Sequence, residues 1–248
     1  MRWVTNREVG CSHCDLYGMC RLSGLEEKDQ SRLEAHVQRR KKVSNGENLI
    51  QAGEKLHYLY AVKAGMFKST RYFDDGREQV VDFHLPGEMI GLESLGKNAH
   101  LNTVTALENS SVCAYSMDTL ESSGSQRNID YQRCLMISMT EKMQQMQEQS
   151  LLMGAQNAEQ RISLFILNIA RRFGQHGMPS DFFRLSMLRR DIANYLGLAF
   201  ETVGRIFKKL EQQGFIETRG RLTQLRNIPE LAQLAGIEPV YLKPSQIA

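Results

Sequence analysis

Arg189-Arg190-Asp191-Ile192-Ala193-Asn194-Tyr195-Leu196-Gly197-Leu198-Ala199-Phe200-Glu201-Thr202-Val203-Gly204-Arg205-Ile206-Phe207-Lys208-Lys209-Leu210 decides the fold of the C-terminal half. A short helix reads from Arg189 to Leu196, then a turn at Gly197, then a second helix from near Phe200 to Gly214. Ala193 lets two helices approach closely, and Gly197 supplies a left-handed residue without a Cβ clash. Ile192, Leu196, Leu198, Val203 and Ile206 give both helices one shared core. That is the spacing of a DNA-binding helix-turn-helix. Phe215–Leu225 follows as a β-hairpin with Arg219 and Arg221 near its tip, which makes the unit a winged helix.

Glu201, Gly204, Arg205 and Lys208 fall on one face of the second helix, at i, i+3, i+4 and i+7. Arginine can donate a bidentate pair to guanine, and a glutamate can accept from cytosine N4. Arg189, Arg190, Lys209, Arg219 and Arg221 suit phosphates. Residues 184–226 carry nine Lys/Arg against four acids, although the whole chain has a net charge of only +3. Positive charge is therefore concentrated where the motif would meet nucleic acid.

Working outward, Gly174–Ser180 holds two Gly and one Pro in seven residues and reads as a hinge. Before it, residues 128–172 contain no Gly or Pro except Gly154 and read as one long helix. Met136, Met139, Met143, Met146, Ser150 and Met153 alternate at spacings of 3 and 4, a heptad seam suited to a two-stranded dimer helix. Methionine packs adaptably, so such a seam leaves room for a change of register.

Residues 43–120 alternate apolar and polar positions. Tyr58–Val62, Gly65–Thr70 and Gln79–Phe83 read as short strands, and Asp74-Asp75-Gly76 as a hairpin turn. The expected fold class is α+β: an N-terminal antiparallel, jelly-roll-like β-barrel, a long dimerisation helix and a C-terminal winged helix-turn-helix. The corresponding boundaries are 1–24 (cysteine-rich), 25–127 (barrel), 128–173 (dimer helix), 174–236 (winged helix) and 237–248 (tail).

Three of the five cysteines stand as Cys11-x2-Cys14-x5-Cys20. Three thiolates this close can converge on one metal centre, with Cys113 or Cys134 as the fourth ligand. By spacing alone, structural zinc and an iron–sulfur cluster fit equally. No run approaches ~18 uncharged apolar residues, so no membrane span is expected. The first residues lack the apolar core of a secretory leader, and unexported clustered Cys points to a reducing, cytoplasmic setting. Paired carboxylates, an ordered Ser/His/Asp set and a phosphate-cradling Gly loop are all missing, which argues against an enzyme.

In that order, barrel, long helix, hinge and winged helix resemble the cyclic-AMP receptor (CRP) superfamily of transcription regulators. Gly87-Glu88-Met89-Ile90-Gly91 is similar to that family's barrel motif, and Asp191–Leu198 with Glu201–Arg205 to its recognition unit. Cys11, Cys14, Cys20 and Cys113 narrow the likeness to the oxygen-sensing FNR branch. The resemblance implies a 4Fe–4S cluster on those four cysteines and a homodimer that oxygen disassembles. It also implies DNA with two-fold related TGA-core half-sites, read by Glu201 and Arg205. Asp74–Glu78 and Leu85–Glu88 are then the expected RNA polymerase contacts. No cyclic nucleotide is expected: residues 78–126 contain no Arg, and His100-Leu101 stands where cyclic-AMP receptors place an Arg-Ser pair. Four positions make three departures from the branch. Gly204 and Phe200 leave the base flanking the TGA core open; Met146 replaces an acidic seam residue, favouring dimers without the cluster; and Asp15 beside Cys14 could tune oxidation.

Overall fold

The structure is a computed structural model that describes residues 37–97, 99–117, 126–154 and 157–237. It forms two compact units. One comprises the chain up to Glu141 apart from Gln79–Val81; the other comprises Gln79–Val81 and the chain from Lys142.

In the first unit the strands are β1 (Val37–Val43), β2 (Asn48–Ile50), β3 (Tyr58–Ala64), β4 (Phe67–Tyr72), β5 (Glu78–His84), β6 (Met89–Ile90), β7 (Thr103–Ala106) and β8 (Ser110–Ser116). They form two four-stranded sheets, ordered β1-β8-β3-β6 and β2-β7-β4-β5. The expected jelly-roll-like β domain is thus present as two sheets over one core, and among the described residues these are not joined into a closed ring. Val43, Leu49, Ile50, Val62, Phe67, Ile90, Val104, Ala106 and Val112 draw that core from both sheets. Each of the larger of these side chains stabilises by about 1.5–3 kcal/mol when fully buried. Between β3 and β4, Gly65 has φ +80°, and a Cβ there would sit 2.1 Å from Ser110 Oγ. Only glycine fits that hairpin.

The β4–β5 turn forms as expected: the Phe73 and Gly76 N–H groups donate across it, to the Arg77 and Phe73 carbonyls. Asp74–Glu78 is exposed. Leu85–Glu88 is not, which corrects its reading as an open contact loop. Leu85 is fully buried and Glu88 is 7% exposed. The Glu88 carboxylate folds back to accept the Leu85 N–H at 2.9 Å, and its carbonyl accepts from Val62 N–H. An acid in a Gly/Pro turn is here a turn-closing group rather than a solvated one.

The single helix expected over 128–173 is two helices: α1 (Gln126–Gly154) and α2 (Ala158–Gln175). Asn157 is extended, and its side chain accepts the Gln160 N–H at 2.9 Å, starting a new helix. The two helices also bury differently. α2 sinks Ile162, Phe165, Ile166, Ile169 and Phe173 into the second unit, whereas α1 leaves most of its methionines in solvent.

The second unit continues through β9 (Phe182–Arg184), α3 (Arg189–Leu196), α4 (Phe200–Gln212), β10 (Ile216–Arg219), β11 (Leu222–Leu225) and α5 (Ile228–Ala235). β10 and β11 are the expected wing hairpin; β9 pairs with β11 to make an unanticipated third strand. α5 packs on α2, with Leu231 and Ala232 fully buried.

Candidate nucleic-acid interface

α3 and α4 are joined as the motif requires. Asp191 accepts the Leu188 N–H at 3.2 Å and so starts α3. Gly197 ends α3 at φ 63°, ψ 39°, and Leu198 N–H returns to the Ala193 carbonyl at 2.9 Å. Arg161 of α2 adds a charged donor to the Leu196 carbonyl at 3.0 Å, a contact that no local sequence signal announces. Ile192, Leu196, Val203 and Ile206 are buried and Leu198 half-buried, so the helices share the expected core.

Glu201, Arg205 and Lys208 stand exposed on one face of α4. Gly204 lies in the same stripe with helical backbone, and a Cβ added there would meet nothing within 4 Å. An interior helical glycine costs about 1 kcal/mol relative to alanine. Neither conformation nor packing within the chain requires it here. Phe200 opens α4 and is 55% exposed. Ala199 precedes it without a side-chain cap, so the first N–H groups of α4 have no side-chain acceptor.

The flanking basic residues differ in their freedom. Arg190 is exposed. Arg189 is half-buried with its guanidinium 3.5 Å from the centroid of the Phe207 ring. Burial lowers its pKa, and Glu211 opposes that shift. Lys209 is exposed but paired with Glu159 of α2 at 2.6 Å. At the wing, Glu217 accepts from both Arg219, at 2.9 Å, and Arg226. These two hydrogen-bonded cations hold its carboxyl below the usual range. Arg221 is half-buried. Glu217 and Arg226 were not singled out from the sequence, although acid–base alternation along the hairpin is the signal for them.

On α1 the seam is exposed: Met136, Met143 and Met146 by more than 60%, Met139 and Met153 by about two-fifths. Ser150 is exposed too, its hydroxyl donating to the Met146 carbonyl at 3.3 Å. Cys113 lies on β8 opposite Ala61 of β3 and Arg40 of β1. Its neighbour Val112 faces the inter-sheet core, so Cys113 points to the opposite face of its sheet, where it is still only 3% exposed. Cys11, Cys14, Cys20 and Asp15 lie outside the described residues. Among the described residues no group of three or more His, Cys, Asp or Glu could hold a metal ion. Four cysteine thiolates are the donor set that iron–sulfur centres use, and of the candidate ligands Cys113 is the one whose side chain is described, Cys134 being, like the three N-terminal cysteines, outside the described side chains.

His100 is 6% exposed, and burial lowers its pKa against the opposing pull of Glu93 and Glu54. A buried, neutral imidazole is a poor replacement for a phosphate-binding guanidinium. No helix among the described residues is long and apolar enough to cross a membrane.

Comparison with known proteins agrees with this architecture. The model for the cyclic nucleotide-binding domain matches residues 40–125, and that for the Crp-like helix-turn-helix domain matches 160–234. The chain is 36% identical over 229 residues to the fumarate and nitrate reduction regulatory protein of Escherichia coli K12, covering 92% of this chain and 91% of that one. The fumarate nitrate reduction regulatory protein of Klebsiella oxytoca shows the same identity and coverage. Among solved structures, FixK2 from Bradyrhizobium japonicum superposes with a TM-score of 0.68 at 32% identity, covering 79% of this chain and 96% of FixK2. The CRP-family regulator TTHB099 from Thermus thermophilus shares the fold, with a TM-score of 0.64 at 19% identity, covering 83% of this chain and all of that one. The chain belongs to the CRP/FNR family of transcription regulators, and its winged helix is a Crp-like DNA-binding domain.

Proposed function

We propose that this chain is a homodimeric, oxygen-responsive transcription regulator with a 4Fe–4S cluster on Cys11, Cys14, Cys20 and Cys113. The observation that carries the sensor reading is Cys113: a thiol buried on the outer face of its sheet, away from the inter-sheet core. A thiol there can receive a ligand-bearing segment without disturbing core packing. Relatives named for fumarate and nitrate reduction support the oxygen link, since both compounds accept electrons in place of oxygen.

Cys11, Cys14, Cys20 and Cys113 would hold the cluster through their thiolates, and it would supply an iron–sulfide core that oxygen can oxidise. The chain's own residues do the rest. Cys11, Cys14 and Cys20 tie residues 1–24 to β8. The Met136–Met153 stripe pairs two copies of α1, burying thioethers that one chain leaves in water. Two-fold pairing sets two α4 helices one DNA turn apart. There Glu201 and Arg205 read the TGA core, and Arg190, Arg219 and Arg221 meet phosphates. Arg189 contributes chiefly by bracing α4 through Phe207. The exposed Asp74–Glu78 turn faces RNA polymerase in activation. This is a cytoplasmic regulator, not an enzyme, and its sensor domain works without cyclic nucleotide: His100 holds no cation where a phosphate would need one.

The test is the absorbance of anaerobically purified protein while air is titrated in, with iron and sulfide assayed in parallel. A broad visible charge-transfer band that bleaches with air and is lost in Cys113→Ala is expected. A colourless protein holding zinc would overturn the sensor reading, and survival of the band in Cys113→Ala would remove Cys113 from the ligand set.

A further inference from the structure

We infer that the methionine stripe on α1 is a modification site: a hydroperoxide converts its thioethers to sulfoxides in the separated chain, and the sulfoxides then keep two chains from pairing. The inference rests on the homodimer reading above and adds a second redox input that uses none of the cysteines.

A single chain offers these sulfur atoms to solvent. Met136, Met143 and Met146 are 69%, 64% and 61% exposed, and Met139 and Met153 are 43% and 42% exposed. Met66 and Met187, by contrast, are each 2% exposed within the cores. The five open thioethers are not scattered. They recur at heptad spacing on one face of α1, the surface that pairing would cover. Oxidant that reaches this chain therefore meets its methionines where dimerisation is decided.

In the reaction a sulfur lone pair attacks one oxygen of the hydroperoxide. An S–O bond forms and the O–O bond breaks; sulfur loses two electrons, and the departing oxygen takes them and the proton of the transferred oxygen, leaving as water or an alcohol. The product is polar where the thioether was apolar and flexible. Along the stripe, Ser150 already donates its hydroxyl to the Met146 carbonyl at 3.3 Å, and Thr140, next to Met139, donates to the Met136 carbonyl at 2.9 Å. A sulfoxide oxygen buried among the facing thioethers thus loses water without gaining a donor, a costly exchange. Pairing shields the stripe, so the free chain is modified, and modification in turn holds the chain free. Thiol-dependent sulfoxide reductases restore the thioether, which makes the change reversible.

For the test, full-length apoprotein is diluted until its chains separate and treated with hydrogen peroxide. Dithiothreitol then restores the cysteine thiols and leaves the sulfoxides, and the cluster is reloaded anaerobically. Peptide masses and sedimentation are measured. One added oxygen is expected at each of the five α1 methionines, with Met66 and Met187 unchanged, and addition should be slower in concentrated, paired protein. The dimer dissociation constant should rise about tenfold for each buried sulfoxide, hence about 100-fold for one in each chain. Methionine sulfoxide reductases should return it to its starting value. A variant with all five methionines changed to leucine keeps the apolar volume, so it should pair and be indifferent to the same treatment. If that variant fails to pair, the reductase arm still decides. An oxidised stripe with an unchanged dissociation constant overturns the inference, as does a loss of pairing that the reductases do not reverse or that the leucine variant shares. Untreated, cluster-loaded protein that is monomeric overturns the homodimer reading, and this inference with it.

Discussion

The guanidinium of Arg189 lies over the ring of Phe207, the first residue of α3 against the buried face of α4. A cation held on a desolvated ring is worth up to about 2 kcal/mol. The contact ties the start of α3 to α4, so Arg189 also packs the two helices together.

Arg189→Ala should therefore lower the urea midpoint of the winged-helix unit, by about 1–2 kcal/mol of stability. Arg190→Ala should leave that midpoint in place and instead flatten the dependence of log affinity on log salt by about 0.9, the signature of one lost phosphate contact. An Arg189→Ala protein with an unchanged midpoint would remove the brace.

Met146 sits near the middle of the exposed seam on α1. Two facing methionines attract, whereas two facing carboxylates would repel at a cost of several kcal/mol. Wild-type apoprotein should sediment as a dimer at micromolar concentration, and Met146→Glu should weaken that dimer by at least about 100-fold. Clean monomers of the wild-type apoprotein would refute this.

Glu217 ties down both Arg219 and Arg226. Glu217→Gln releases two cations at the wing. Non-specific DNA affinity should rise, and its salt dependence should steepen by roughly one charge. An unchanged salt slope would mean that the wing does not approach phosphate.

Burial, reinforced by Glu88, raises the Glu141 carboxyl to about 7. Folding thus favours its protonated form. That contribution is complete below the ordinary carboxylate range and is lost as pH rises through about 7. Glu141→Gln mimics the protonated group, so its thermal midpoint should differ from wild type by less at pH 5 than at pH 8. At pH 8 it should exceed wild type by at least about 2 °C. Parallel curves at both pH values would show that Glu141 is solvated.

Where local spacing fixes local geometry, the sequence was readable. Gly197 adopts the left-handed turn its position demands, Glu201, Arg205 and Lys208 share a face, and Phe215–Leu225 forms the wing. Long-range competition was not readable. Whether 128–173 is one helix or two depends on Asn157, whose side chain caps α2 only because the apolar face of α2 has a core to enter. β9 is three residues long and exists because β11 offers it an edge. Leu85–Glu88 carries turn residues that signal exposure, yet its acid is spent on its own backbone. Arg189 and Phe207 meet across eighteen residues, beyond any periodic pattern.

The break between α1 and α2 also bears on how such regulators diversify. α1 ends at Gly154, and α2 begins behind its own Asn157 cap and packs on α5. A crossover placed between Gly154 and Asn157 severs neither hydrogen-bond ladder. Recombination can exchange the C-terminal cassette between paralogues there, so that sensing chemistry and operator preference evolve on separate schedules within one gene.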